Sequence, residues 1–373
     1  MDKHTEKKSI LRNDGFQTLV ASLICILLGL LAGYIVLLLI DPRNAWKAMT
    51  SILKNFLYFP RPEIALEYFG STLAKTAPLL MCTLSVLFAY KVGLFNIGAS
   101  GQYTVGVGAA LFLGIHFNAP WWVCMIAAMI SGALLGALAG ALKAHLNVNE
   151  VIACIMLNWI ALYSVNMLLT LVKNSGTTYT LALKTNAPDA LIPSFGLSAL
   201  FSGNKYVTIA IPLAVIFAVL VRILLDKTKL GYELKATGLS VNAARYAGMK
   251  EKQNMILTMM ISGALAGLGA SFLYLSGIEQ WSCAQTSVPA MGFNGIASAF
   301  LGGLDPIGSI FAAFFIQHIT SGGAYVDKMV YCSQISDLIS SIIIYFCGFV
   351  LFFKYLMNRG LSRSTDAKRK GGA

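Results

Sequence analysis

The chain has 373 residues, 57% of them hydrophobic and 12% charged, with a formal net charge of +12. A globular domain carries about 25% charged residues, so this composition excludes an ordinary water-soluble enzyme and indicates an integral membrane protein. Apolar runs reach, again and again, the roughly 20 residues that cross a bilayer as helix, and in such a chain the positive charge speaks first to membrane orientation.

In chain order, residues 1–15 read as a cytoplasmic N-terminal tail. The run 16–40 is too long for a signal-peptide core and has no small-x-small cleavage site, so it reads as a retained first span. Further spans are expected at 71–90, 94–115, 121–143, 148–172, 206–225 and 254–277. The runs 289–301 and 307–320 are shorter, separated by GGLDP, and are either short crossings or a re-entrant pair. A last span covers 334–354, and 355–373 is a basic cytoplasmic tail. The fold class is therefore an all-α membrane bundle of about 10 transmembrane helices, eight full spans plus the short pair, filling 16–354 with both termini cytoplasmic.

Charge tests that orientation. Of the 28 Lys and Arg, 19 fall on the predicted inner side and 8 on the outer, while Lys75 lies in a span near its outer end and can snorkel. The cysteines at 25, 82, 124, 154, 283, 332 and 347 show no CxxC or Cys/His spacing, so no metal site is expected. Cys283 and Cys332 share the predicted outer side, which leaves a disulfide open.

Two loops exceed a simple connection. The outer one, 173–205, is rich in Thr, Asn, Pro and Gly and is either a lid or a passive connector. The inner one, 226–253, holds SVNAARYAG, where Ser240 is a predicted N-cap and Gly248 a predicted C-cap of a short helix. Ala243, Ala244 and Ala247 leave room for a docking partner and Tyr246 could fill a pocket; the alternative is a solvated basic loop that serves only topology.

Amides and hydroxyls are costly in lipid. Asn96, Ser100, Gln102, Tyr103, Thr104, Asn158, Asn294 and Ser298 should accordingly face a cavity, water or another helix, and interhelical bonding is their common use. Trp159 and Phe293 could stack on a flat ring, and amides can both donate and accept. Glu150, at a predicted inner membrane edge, suits an interfacial anchor or helix-start charge. GALLGALAG at 132–140 and GALAG at 263–267 read as packing stripes. FNIGAS and FNGIAS, at 95 and 293, would suit inverted repeats, although the order of the SGAL pair breaks that symmetry.

GLFNIGASGQ at 93–102, NEVIACIMLNWIA at 149–161, GYELKATGLSVNAARYAGM at 231–249, SGALAGLGA at 262–270 and GFNGIASAFLGGLDPIGS at 292–309 resemble one family. It is that of the permease subunits of ABC importers of the branched-chain amino acid and simple-sugar class, and within it the bacterial nucleoside permeases. The resemblance implies a multi-pass permease of a bacterial cell membrane. It implies a path lined by Asn96, Ser100, Gln102, Asn158, Trp159, Phe293 and Asn294, and a gating role for Glu150. It makes Gly231, Glu233, Ala243, Ala244, Tyr246 and Gly248 the contact to a cytoplasmic ATPase. It also implies a second permease, paralogous to this one, and an extracellular substrate-binding lipoprotein. At Ser100 the chain departs from relatives that often carry an acid.

The chain has no GxxxxGK[ST], so it is expected to be a transport subunit and not an enzyme, with ATP and Mg used by the partner and no cofactor of its own. Permeases for ribose-like sugars or another small polar solute share this pattern. An ion-coupled secondary transporter would place charges deep in the bilayer. Here His116, His145, His318, Asp305 and Asp327 fall at predicted ends or loops, and only Asp337 lies inside the edge of a span.

Overall fold

The computed structural model describes residues 14–327, 329–331, 335–350 and 352–357. Cys332, the Asp337 side chain and the tails 1–13 and 358–373 lie outside the described residues. Among the described residues the regular structure is helical, with two isolated β-bridges and no named strand.

α1 is Asp14–Ile40 and α2 is Ala45–Lys54. α2 lies where a loop was expected. Asp41 starts it, its carboxylate accepting from the Arg43 N–H at 2.9 Å and from Asn44 Nδ2 at 2.8 Å, and the Asn44 amide first, then the Arg43 N–H, hold that carboxyl below its ordinary pKa. Ala45, Ala48, Met49 and Ile52 then bury one face, the helical spacing by which the segment could have been recognised.

α3, Pro62–Lys91, is the central helix: it starts with Pro at its first position and buries nearly every residue from Ala74 to Ala89. α4 is Ala99–Phe117, α5 Trp121–Leu146 and α6 Glu150–Leu169. Residues 92–98 are non-helical, so the span expected from 94 begins as helix only at Ala99. α5 packs along α11, Glu251–Tyr274, through the two glycine stripes: a methyl on Gly132 would meet the Gly263 carbonyl, and one on Gly136 the Met259 carbonyl. Only glycine permits that approach, so the stripes are helix-packing surfaces.

The segment 173–205 is anchored. It contains the short α7, Leu183–Asn186, and buries Leu183, Ala187, Ala190 and Ile192. Thr180 N–H donates to the Trp281 carbonyl and Ile192 N–H to the Leu275 carbonyl, both at 2.9 Å. Trp281, fully buried, donates through Nε1 to Asn166 Oδ1.

α8 is Ala210–Lys227, followed by α9, Lys229–Leu239, and α10, Val241–Tyr246, before α11. The expected helix after Ser240 is present: Ser240 Oγ accepts from the Ala243 N–H, and Gly248 takes φ 78° beyond its end. The segment before it, not singled out as a helix, forms α9 with Thr228 as its cap.

α12, Ala290–Leu301, has 12 residues, about 18 Å, too short to cross hydrocarbon as helix. α13, Pro306–Gly322, is capped by Asp305, whose carboxylate accepts from the N–H groups of Ile307 and Gly308; with its last turn it reaches 20 residues. α14 is Ile335–Cys347 and packs on α1. Among the described residues, six helices are long and apolar enough to cross a membrane: α1, α3, α5, α6, α11 and α13. α8 carries Arg222, Asp226 and Lys227, and α12 and α14 are short, so these fall outside that group.

Candidate functional site

The first turn of α4 lacks a capping side chain of its own, because Gly98 occupies the cap position. Asn158 of α6 supplies one from across the interface. Its Oδ1 accepts from the Gly101 N–H at 2.8 Å and its Nδ2 donates to the Ile97 carbonyl at 3.1 Å. Asn158 is buried, and a methyl on Gly101 would collide with it, so the α4–α6 contact is built around this amide.

Beside it lies a closed polar cluster. Asn96 Nδ2 donates to Gln102 Oε1 at 2.7 Å, and Gln102 Nε2 donates back to Asn96 Oδ1 at 3.1 Å. Asn96 also donates to Ser262 Oγ at 2.6 Å, and Ser262 in turn donates to the Ser85 carbonyl at 2.7 Å. The Cys154 thiol approaches Asn96 Oδ1 at 3.9 Å. Four helices and the 92–98 turn thus meet in a buried, uncharged network. Ser85, Cys154 and Ser262 were not singled out from sequence, since single hydroxyls and thiols in apolar runs carry no periodic signal.

The other expected path residues differ. Ser100 is fully buried under Gly292 of α12, where a methyl would meet Ser100 itself, so an acid at 100 has no room in this conformation. Among the described residues its hydroxyl has no hydrogen-bond partner, nor do the buried hydroxyls of Tyr103 in α4 and Ser298 in α12. Trp159 and Phe293 are each 42% exposed, and Asn294 is half-buried. Since Ser100 touches Gly292 and Gly101 touches Asn158, the start of α4 sits between α12 and α6, each with an exposed aromatic next to its contact residue. FNIGAS and FNGIAS do not share a local conformation: Asn96 is in a turn, Asn294 within α12.

Glu150, in the first turn of α6, pairs with Lys143 of α5 at 3.0 Å. Of the expected docking residues, Ala243, Tyr246 and Gly248 are exposed, Tyr246 by 93%, and Glu233 pairs with Lys229 at 3.6 Å. Gly231 and Ala244 are buried against the chain itself, Gly231 against Leu224 and Leu225 of α8. α9 also reaches the 92–98 turn: a methyl on Gly238 would strike the Val92 carbonyl, and Gly93 takes φ 80° in the same contact. Asn254 of α11 donates to Thr237 Oγ1 at 2.8 Å, fastening α9 from the other side. Among the described residues no group of three or more His, Cys, Asp or Glu could hold a metal ion. The site offers hydrogen bonding and close backbone contact, and among the described residues it holds no nucleophile–base pair.

Residues 68–348 match the family described as the permease component of the branched-chain amino acid transport system. The chain is 30% identical over 348 residues to the guanosine ABC transporter permease protein NupP of Bacillus subtilis, covering 91% of this chain and 96% of the relative. It is 31% identical over 374 residues to the nucleoside ABC transporter permease protein NupB of Lactococcus lactis, covering 96% and 99%. A second Bacillus subtilis protein, the guanosine ABC transporter permease protein NupQ, is 27% identical over 255 residues, covering 66% and 78%. No solved structure matches the chain.

Proposed function

The chain belongs to the permease-component family of the branched-chain amino acid transport system, and on that premise we propose that it is the membrane subunit through which an ATP-driven importer moves nucleosides. The observation that carries the reading is similarity over nearly the whole chain to permeases named for guanosine and nucleosides. As a multi-pass permease it is a transport subunit, and ATP with Mg is used by separate cytoplasmic subunits. Its similarity to two guanosine permease proteins of one organism favours a paralogous second permease as partner. An extracellular substrate-binding lipoprotein completes the assembly in a bacterial cell membrane. We take both termini as cytoplasmic and the bundle as about ten membrane helices, α4, α8 and α14 joining the long spans, with α12 as the short member of a short-crossing or re-entrant pair with α13.

In this reading the ATPase docks on the exposed face of α10, around Ala243 and Tyr246, with Gly248 at its edge. Motion there passes through α9 to the 92–98 turn by the Gly238–Gly93 contact and so to Asn96 and Gln102. The solute passes beside the start of α4, where Ser100 offers an unused hydroxyl and Trp159, Phe293 and Asn294 are accessible, while Asn158 holds the helix end in place. The Lys143–Glu150 pair ties the inner ends of α5 and α6 as the gate moves.

The test is uptake of labelled purine and pyrimidine nucleosides by cells with and without the gene; no difference for any nucleoside defeats the substrate claim. Competition by unlabelled ribose separates a sugar permease. Uptake that survives deletion of 231–248 would favour ion coupling.

A further inference from the structure

Two polar helix faces meet at the predicted outer end of the bundle. Tyr68, Ser71, Thr72 and Lys75 recur at helical spacing along α3, and Gln317, Thr320 and Ser321 do so along α13. Together with Tyr206 and Tyr325 they line a cavity of about 480 Å³, within the roughly 300–1,000 Å³ of small-molecule sites.

The chemistry of the walls is uneven. The Ser71 and Thr72 hydroxyls donate to the carbonyls of Glu67 and Tyr68 in their own helix and accept from Asn204 Nδ2 and Asn55 Nδ2, each keeping a second lone pair as an acceptor, and the Thr320 hydroxyl donates to the Ile316 carbonyl. Gln317 Nε2 donates to Ser321 Oγ at 3.1 Å. Lys75 is half-buried and forms no ion pair among the described residues. An unpaired cation at membrane depth ordinarily finds a partner or serves a solute path. The rim is aromatic and held in place: Tyr68 stacks on Phe59 at 4.5 Å, and Tyr325 stacks on Tyr58 at 5.8 Å. Asn204 of the outer segment clips the same edge, donating to the Glu67 carbonyl and to Ser71 Oγ.

Cationic and phenolic donors, hydroxyl acceptors and ordered rings suit a neutral, polyhydroxylated solute with a flat, acceptor-rich ring. They disfavour a metal cation or a hydrocarbon. We propose that the cavity between α3 and α13 is an outward solute subsite that receives the nucleoside before the α4–α12 seam, with Lys75 as its principal donor. The proposal rests on the nucleoside reading above.

The test uses the complete transporter with labelled guanosine. Lys75→Met should raise the KM for uptake about tenfold, the loss of one charged hydrogen bond, with kcat within about twofold, and Lys75→Arg should recover most of it. Independently, Ser321→Cys should react with a membrane-impermeant maleimide added outside, above the background of the parent chain, and guanosine should slow that reaction. If the parent takes up guanosine while Lys75→Met keeps its KM and guanosine leaves the labelling rate unchanged, the subsite is overturned and the function stands. A Lys75→Met defect confined to affinity for the extracellular binding protein would also overturn it. Absence of uptake by the parent for every nucleoside would instead fell the function reading.

Discussion

Asn158 separates a structural amide from a solute-binding one. Both of its polar atoms are committed to backbone groups at the start of α4, the Gly101 N–H at 2.8 Å and the Ile97 carbonyl at 3.1 Å. Asn158→Leu keeps similar bulk and removes both bonds. Interhelical side-chain bonds in membranes average about 0.6 kcal/mol, which would give about 1.2 kcal/mol for two. Here, however, the deserted partners are buried backbone groups, each costing about 1–3 kcal/mol when unsatisfied, so a loss of about 2–6 kcal/mol is expected. At about 2 °C per kcal/mol for a large chain, the unfolding midpoint of the purified complex should fall by about 4–12 °C. Asn158→Asp keeps the acceptor facing the positive end of α4 and loses the donor to Ile97, so it should fall between parent and Leu. A lowered affinity for nucleoside with an unchanged midpoint would refute the capping argument.

Gly136→Leu places a branched side chain against the Met259 carbonyl of α11 and should abolish folded membrane expression, whereas Leu134→Ala, 65% exposed on the same helix, should leave yield unchanged; both are read by detergent-solubilised folded fraction. Tyr246→Ala, at 93% exposure, should leave the permease's thermal midpoint within about 1 °C, while recovery of the ATPase on the tagged permease drops severalfold; equal recovery would remove α10 from the docking surface. Glu150→Lys should slow uptake and the added Lys143→Glu should restore it, because the pair sits at 3.0 Å; a double variant no better than the single would assign Glu150 a role apart from that pairing.

The class of protein was legible because composition is a sum: apolar runs of bilayer length identify membrane helices whatever their arrangement. The glycine stripes at 132–140 and 263–267 were legible as packing surfaces because their four-residue period is local, and Ser240 as a cap because capping acts over three residues. α2 was missed among the loops because its apolar face is short and flanked by Lys47 and Lys54, and α9 because glycines at 231 and 238 look like breakers. Those glycines serve close contact, with α8 and with the 92–98 turn.

By itself, then, the sequence determined an all-helical membrane chain, the approximate helix positions, the two packing stripes and the resemblance to ABC permeases. Only the tertiary structure decided which polar groups meet. Ser85 and Ser262 are 177 positions apart yet share the Asn96–Gln102 network, and Asn158 reaches the start of α4 from 57 positions away. Partnership of that kind depends on the rotation and register of helices joined by long stretches of chain, and no local pattern encodes either. Hence FNIGASGQ announced buried polarity, while the fold assigned Asn96 and Gln102 to each other and left the Ser100 hydroxyl beneath Gly292 with no partner among the described residues.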